Sequence, residues 1–287
     1  MKLLFLIFLI LAGSFVNGQT TDDLFDRLGD WDDSEALAIK TFRSTRIVNM
    51  QSVENPYQGE LIFTIGHRFG NIRSGFYEMF GLDIATIRLG LDYGINSWLA
   101  AGIGRSSYQK TWDGYLKARI ITQDGTLQSP VSLSYYLSAS HASLRNIYPA
   151  DYDNFFDRTS YIHQLMVSRK FSELFSIQIS PIWLTSSLLP ETGSSVSHLS
   201  LGTAARIRLT PMTHLNLEYI PSVVDGGIER TNPVSAGFDI ETGGHVFQLF
   251  FSNTQGIADK AWLANTSGKW EKGDIFFGFT ITRVFYL

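Results

Sequence analysis

The chain has 287 residues, with 23 Lys and Arg against 27 Asp and Glu, a formal net charge of −4 and no cysteine. The missing cysteines exclude a disulfide framework, a thiolate metal site and a cysteine nucleophile, and a mild negative charge with scattered basic residues leaves no footprint for nucleic acid. Charged residues are 17% of the chain and aromatics 14%; a soluble domain carries about one quarter charged residues, so this composition suits strands that face lipid.

The N-terminus opens with Met1-Lys2, an apolar run Leu3–Ala12 and the small-residue site Val16-Asn17-Gly18. It resembles a secretory signal peptide over residues 1–18, with Gln19 the first mature residue, because an apolar run of about ten residues is too short to span a bilayer of about 30 Å. Residues 19–58 form an acidic N-terminal segment. In it Asp22, Asp23, Asp26, Asp30, Asp32, Asp33 and Glu35 are broken by Leu24, Phe25, Leu28 and Trp31 at roughly helical spacing. Two readings stay open: a short periplasmic helix or a plug in a barrel mouth, and an acidic leader without fixed structure.

From residue 59 to 287 the chain alternates apolar and polar residues in short segments. Ile87, Leu89, Leu91 and Tyr93 oppose Arg88, Gly90 and Asp92, and Val131, Leu133, Tyr135, Leu137 and Ala139 oppose Ser132, Ser134, Tyr136, Ser138 and Ser140. A period of two over that length is a strand, since a helix would repeat every 3.6 residues. Leu199, Leu201, Ala205, Ile207 and Leu209 against His198, Ser200, Arg206 and Arg208 repeat the parity, as do Leu215, Leu217 and Tyr219 against Asn216 and Glu218. Ile275, Phe277, Phe279 and Ile281 oppose Gly278, Thr280 and Thr282, and the segment runs on to Val284-Phe285-Tyr286-Leu287. An aromatic C-terminal strand of this kind resembles bacterial outer-membrane barrels, in which the barrel assembly machinery reads it.

The joins between segments alternate in length. Longer ones fall at 68–85, 106–111, 143–159, 185–197, 224–233 and 253–273, and tighter ones at 94–96, 123–128, 171–174, 210–213 and 241–244. An antiparallel up-and-down transmembrane β-barrel of about twelve strands leaves this imprint, with short periplasmic turns and longer outer loops. Lipid leaves a closed barrel as the alternative to helices, because every backbone polar group must pair within the protein. A soluble β-barrel or sandwich is the competing fold; against it, Arg88, Asp92, Lys117, Arg119, Arg206, Arg208 and Glu218 all fall on the face opposite the apolar one. Tyr93, Trp98, Tyr115, Trp183 and Tyr219 near strand ends are expected to form aromatic girdles.

The runs Thr41–Asn49, Gly59-Glu60-Leu61, His67–Gly70, Phe80–Asp83, Ala85–Gly94 and Gly102–Thr111 resemble an uncharacterised family of β-barrel proteins from Gram-negative bacteria, a domain of unknown function. The resemblance is concentrated between Thr41 and Arg119. It implies an outer-membrane barrel and brings no substrate, cofactor or catalytic residue. Within it Arg43, Arg46, Arg68, Arg88 and Arg105 are placed to meet acids such as Asp83 and Asp92 in a narrow lumen and to hold the N-terminal segment against the wall, since buried charges in membrane proteins are usually paired.

One catalytic candidate stands out. His141 and Ser143 lie two apart on one strand face, which lets an imidazole take a serine proton. Outer-membrane lipid hydrolases also carry His-x-Ser, followed about twelve residues later by an orienting Asn or Glu; here that offset holds Phe155, with Asp153 and Asn154 just before it. His198 and Ser200 repeat the pattern on the opposite parity. Asp151-Tyr152-Asp153-Asn154 lacks the glycine and distal glutamate of a calcium loop, and Gly102-Ile103-Gly104 does not extend to a dinucleotide fingerprint. No metal or cofactor is expected. The sequence thus predicts a non-enzymatic outer-membrane barrel in contact with outer-membrane lipid, acting as a narrow channel or binder for a small solute. Its pore charge would be set by Arg88, Asp92, Lys117, Arg119, Arg206, Arg208 and Glu218. A lipid hydrolase using His141 and Ser143 and a non-conducting scaffold or adhesion barrel are the competing readings.

Overall fold

The computed structural model describes residues 39–124, 129–144, 155–186, 196–227, 230–242 and 245–287; the signal peptide, the acidic run 22–35 and Asp151–Asn154 lie outside them. Thirteen strands form one antiparallel sheet. They are β1 (Glu60–Asn71), β2 (Ala85–Gly94), β3 (Leu99–Ser106), β4 (Thr111–Ile121), β5 (Ser132–Ala142), β6 (Thr159–Lys170), β7 (Phe175–Ser186) and β8 (Val196–Arg208), then β9 (Thr213–Tyr219), β10 (Ser222–Val224), β11 (Val234–Thr242), β12 (His245–Ser252) and β13 (Phe276–Tyr286). Strands β1 to β9 pair in sequence order, as do β11 to β13, β13 closes on β1, β9 pairs with both β8 and β11, and the short β10 pairs with β8. The pairs Tyr219↔Thr203 and Ser222↔Ser200 share one register, so β9 and β10 are stretches of a single stave interrupted at Ile220 and Pro221. Thirteen strands less that interruption give a closed barrel of twelve staves, and among the described residues no helix is long and apolar enough to cross a membrane.

The expected parity holds. Along β2, Ile87, Leu89, Leu91 and Tyr93 are exposed on the outer wall while Arg88, Gly90 and Asp92 are buried inside. Along β5 every second residue from Ser132 to Ala142 is buried. The outer wall sheds its apolar side chains into lipid, and closure leaves no unpaired edge in the hydrocarbon.

Two departures from the expected pattern have local causes. The join between β3 and β4 is only residues 107–110, held by a 3-10 turn over Tyr108–Lys110, whereas residues 122–131 separate β4 from β5 at the opposite rim. Length therefore does not distinguish the rims at this hairpin. Tyr115 is not a girdle residue: its inward parity on β4 buries its ring against Tyr136, with centroids 5.1 Å apart. Tyr93, Trp98, Trp183 and Tyr219 are exposed near strand ends, as a girdle requires.

At the start of the barrel the chain packs against Gly94, where an added Cβ would lie 1.8 Å from the Tyr57 carbonyl oxygen. The Gly59 amide also donates to the Gly94 carbonyl at 2.9 Å. Backbone-to-backbone contact of this kind cannot be relieved by a rotamer change. Gly94→Ala is expected to destabilise the barrel by about 1–3 kcal/mol, read as a lowered urea midpoint in lipid vesicles; an unchanged midpoint would mean that this strap is not held against the rim.

Candidate functional site

The lumen is filled by the chain itself. Residues 41–55 enter at the rim carrying the β6–β7 turn, where the Ile39 amide donates to the Gln123 carbonyl at 3.1 Å and the Ser168 hydroxyl donates to Thr41 Oγ1 at 2.8 Å. The segment climbs, reverses where the Ile47 amide meets the Met50 carbonyl at 2.9 Å, and descends with an isolated antiparallel bridge between Arg46 and Gln51. Phe42, Ile47, Val48, Met50 and Val53 along it are all buried.

A lone hairpin has backbone donors and acceptors on both edges and no strand to take them, so buried in a barrel it needs side-chain partners. The inward polar residues of the staves supply them. Glu218 on β9 accepts from the amides of Asn49 and Met50 at 3.1 and 2.9 Å and from Asn49 Nδ2 at 2.7 Å. Gln178 on β7 accepts from the Val53 amide at 3.0 Å and donates to the Gln51 carbonyl at 2.8 Å. Lys117 on β4, fully buried, donates to the carbonyls of Thr45 and Ser52 at 3.2 and 3.3 Å and to Gln51 Oε1 at 3.2 Å. From β12, Gln248 donates to the Ile47 carbonyl at 2.8 Å, and from β5 the Ser134 hydroxyl donates to the Val53 carbonyl at 3.0 Å. The alternation read in the sequence is thus what satisfies the hairpin.

A second piece comes from the opposite rim. The join after β12 folds inward and forms a short helix, α1 (Asp259–Ala264), every residue of which is buried. Its Trp262, Leu263 and Ala264 pack with Phe42, Ile47 and Met50 of the hairpin and with inward Ile162, Ile182, Leu184, Val196, Ala204 and Ile220. Asp259 ties the two pieces: Arg46 Nη1 reaches Asp259 Oδ1 at 2.7 Å, while the Tyr136 hydroxyl donates to Asp259 Oδ2 at 2.5 Å. Arg68 on β1 joins them again, donating to the carbonyls of Thr254 and Gly256 at 2.9 and 3.1 Å and to Asn49 Oδ1 at 2.9 Å. What remains of the lumen here is a void of about 20 Å³ between the hairpin and β1, β2, β12 and β13, of mixed lining, with Thr64, Arg88, Asp92 and Thr282 beside Val48, Phe250 and Ile257. That is room for about one water molecule.

The seven charged candidates divide. Arg88, Asp92, Lys117, Arg206 and Glu218 are buried in the lumen. Arg88 forms a buried ion pair with Asp113, and Asp92 accepts from the Thr45 hydroxyl at 3.3 Å. Arg119 and Arg208 instead sit at the rim of the β2–β3, β6–β7 and β8–β9 turns, where Arg119 donates to the Ser97 carbonyl at 3.3 Å and Arg208 lies 3.6 Å from Glu173. Of the arginines expected to hold the N-terminal segment, Arg46 and Arg68 do so inside, and Arg43 meets Glu241 at 3.4 Å. Arg105 lies on the outer wall over the Trp112 ring, and Asp83 is exposed in the join between β1 and β2.

His141 and Ser143 are not brought together. His141 Nδ1 faces Thr159 Oγ1 at 3.1 Å and its ring stacks on Phe155, whereas the Ser143 hydroxyl donates to the Lys110 carbonyl at 2.6 Å. His198 Nε2 does meet Ser200 Oγ at 2.8 Å, inside the wall, with Arg230 donating to the same hydroxyl at 2.9 Å.

Sequence reasoning missed Asp113, Tyr136 as a hydrogen-bond donor, and Asp259. Asp113 shares the inward parity of Tyr115 and Lys117 and was open to discovery on that ground. Asp259 sits in a long join with no periodicity, and nothing local announces that the join turns inward.

The Arg46–Asp259 pair carries a pH dependence. Burial alone would raise the Asp259 carboxyl, but the Arg46 guanidinium, the Tyr136 hydroxyl and the Arg46 hydrogen bond hold it below the ordinary aspartate value of 3.8. Burial likewise works against the Arg46 charge, and Asp259 more than offsets it, so that guanidinium keeps its proton above the ordinary arginine range. A carboxylate depressed in the folded state stabilises the closed arrangement fully above its ordinary value and loses that contribution as pH falls through the depressed one. Acidification from pH 7 to well below the ordinary aspartate value of 3.8 is therefore expected to loosen the junction, and Asp259→Asn to remove that part of the response. Open time in planar bilayers, compared across this pH range between the unmodified chain and Asp259→Asn, checks it.

A family model described as a membrane-bound beta barrel domain (DUF5777) matches residues 42–285. The solved structure of the NanC porin aligns with a TM-score of 0.50 at 10% identity, covering 79% of this chain and 99% of the porin. A KdgM porin in complex with disordered oligogalacturonate aligns with a TM-score of 0.49 at 7% identity, covering 79% and 99%. No curated protein matches the chain.

Proposed function

We propose, from the premise that the chain belongs to the family of membrane-bound β-barrel domains (DUF5777), that it is a channel for small polar solutes closed by its own N-terminal hairpin. The protein is an outer-membrane β-barrel with the fold of the porins. The finer reading rests on one observation: between the hairpin and the wall formed by β1, β2, β4, β12 and β13, inward polar side chains of the staves reach the hairpin by hydrogen bonds beside a small void, with Val53 in a small apolar cluster with Tyr115.

Such contacts exchange for water at little net cost, since a hydrogen bond contributes only about 1 kcal/mol once its partners are rehydrated. On its other side the hairpin's Phe42, Ile47 and Met50 join the apolar cluster around Trp262 against β6–β8, and this packing is what keeps the closed arrangement favoured. Withdrawal of the hairpin toward the rim it enters would leave a passage lined by Arg68, Arg88, Asp92, Lys117 and Glu218. This mixed-sign lining suits small polar solutes better than large or strongly charged ones.

Swelling of vesicles containing the protein, in iso-osmotic small sugars and amino acids, tests this reading. Slow swelling that quickens severalfold when the hairpin is loosened supports a channel. Equal, protein-independent swelling under all conditions would leave a non-conducting scaffold.

A further inference from the structure

The join between β1 and β2 has a surface that the lumen does not explain. Phe76 and Tyr77 are 78% and 94% exposed, and Met79, Phe80, Leu82 and Ile84 are exposed beside them. Isolated apolar residues on a surface are ordinary; six large ones within nine positions form a patch of the kind that marks an interaction or membrane site.

The patch is held in place. An added Cβ at Gly81 would lie 2.5 Å from the carbonyl carbon and oxygen of Gly70, so the join packs backbone to backbone on β1. The Ile72 amide donates to the Ile275 carbonyl at 2.9 Å, Arg73 lies 3.5 Å from Asp274, and Asn71 Nδ2 donates to the same carboxylate at 3.2 Å. Met79 and Phe80 adopt left-handed conformations, with φ of 47° and 56°. For non-glycine residues such backbone costs of order 1–3 kcal/mol each and persists where the surroundings fix it. Here the strained residues hold apolar side chains outward, where water would be an unfavourable neighbour.

The patch is continuous with an interface already described. It follows directly on the lipid-facing row of β2, in which Ile87, Leu89 and Leu91 are exposed, and it lies at the rim opposite the start of β1. Aromatic and long apolar side chains just past the hydrocarbon belt are the ones that settle at headgroup level. We infer that the β1–β2 join is a membrane anchor whose Phe76, Tyr77, Phe80 and Leu82 insert among the lipid chains of the outer leaflet, fixing the height and tilt of the barrel. This inference is independent of whether the lumen conducts.

The chain contains no cysteine, so single labels can be placed without background. Tyr77→Cys, Phe80→Cys and Leu82→Cys are each labelled with a nitroxide, in protein reconstituted into dimyristoylphosphatidylcholine vesicles, with folding confirmed by heat-modifiable migration. Leu89→Cys on the lipid belt and Lys272→Cys in the exposed β12–β13 join are the references. Collision with dissolved oxygen should exceed collision with a water-soluble nickel chelate at positions 77, 80 and 82, with a ratio severalfold above that at 272 and approaching that at 89. A ratio equal to that at 272 would place the patch in water. Low collision with both reagents would mean that protein, a second copy or another partner, covers it. Either result would overturn the inference.

Discussion

Arg46→Ala is expected to convert a mostly closed protein into one that opens often, with the ratio of open to closed time in planar bilayers rising about a hundredfold. The reasoning is electrostatic. Arg46 supplies the guanidinium that lies 2.7 Å from Asp259, and the Asp259 side chain is 4% exposed. Removing one member of a buried pair costs about 3–5 kcal/mol, most of it from the charge left behind, and about 1.4 kcal/mol is a tenfold change in an equilibrium. The Tyr136 and Trp262 donors to Asp259 remain and recover part of the loss, so the lower end of the range applies. The lost energy falls on the closed state in particular, because Arg46 is carried by the hairpin and Asp259 by the opposite insertion. The paired substitution Arg46→Met with Asp259→Leu removes both charges and should restore much of the closure, which separates an ionic latch from a general loss of packing. Openings unchanged in Arg46→Ala would show that the junction does not control the lumen.

The second large effect concerns the wall. Asp113→Ala is expected to destabilise the folded barrel by about 2–3 kcal/mol, measured as a lowered urea midpoint in vesicles. Asp113 and Arg88 side chains are each 6% exposed, and Arg88 Nε donates to Asp113 Oδ1 at 3.0 Å. The guanidinium lies over Gly104, where an added Cβ would fall 2.2 Å from Arg88 Nη2, so the neighbouring stave leaves out a side chain to admit it. Loss of Asp113 would leave that cation in the lumen with Asp92 as its nearby acid, which sets the effect below the full cost of an unpaired buried charge. Glu173→Ala is the contrast. Its carboxylate pairs with Lys170 and Arg208 at the rim and its side chain is 70% exposed, so solvent screens the pair and its removal should scarcely move the midpoint. If Asp113→Ala were as silent as Glu173→Ala, the Arg88 pair would have no structural weight.

How far the sequence was legible follows from which interactions are periodic. Ile87 through Tyr93 against Arg88 through Asp92, and Leu133 through Ala139 against Ser132 through Ser140, announce both the strand and its lipid-facing side, because a stave between lipid and a wet lumen must alternate. The inward parity of Arg88 and Asp92 was legible for the same reason; Asp113 shares that parity but was not singled out, and Arg119 and Arg208, on the same face, sit at a rim. The rims were less so. The 106–111 join resembled a loop and is a tight turn, since its residues fit a 3-10 turn and add no hydrophobic signal of their own. Least legible was the filling of the lumen. A hairpin recruited by Glu218, Gln178, Lys117 and Gln248 takes its partners from distant staves, and an insertion carrying Asp259 and Trp262 declares itself only against Arg46 and Phe42. Arg46 and Arg68 hinted at a plug through their charge in a short stretch; their partners belong to tertiary structure alone.

The measurement that tests the account most directly is single-channel recording of Thr41→Cys/Ser168→Cys. The hydroxyl oxygens of these residues lie 2.8 Å apart across the hairpin and β6, so the cysteines should join without moving the backbone far. With the disulfide formed the hairpin cannot leave, and the protein should show no openings. After reduction, openings should return to the level of the unmodified chain, and acidification or Arg46→Ala should raise them further. Openings that persist with the hairpin locked in place, or a reduced protein that stays silent even with Arg46→Ala, would contradict the account of a channel closed by its own N-terminal hairpin.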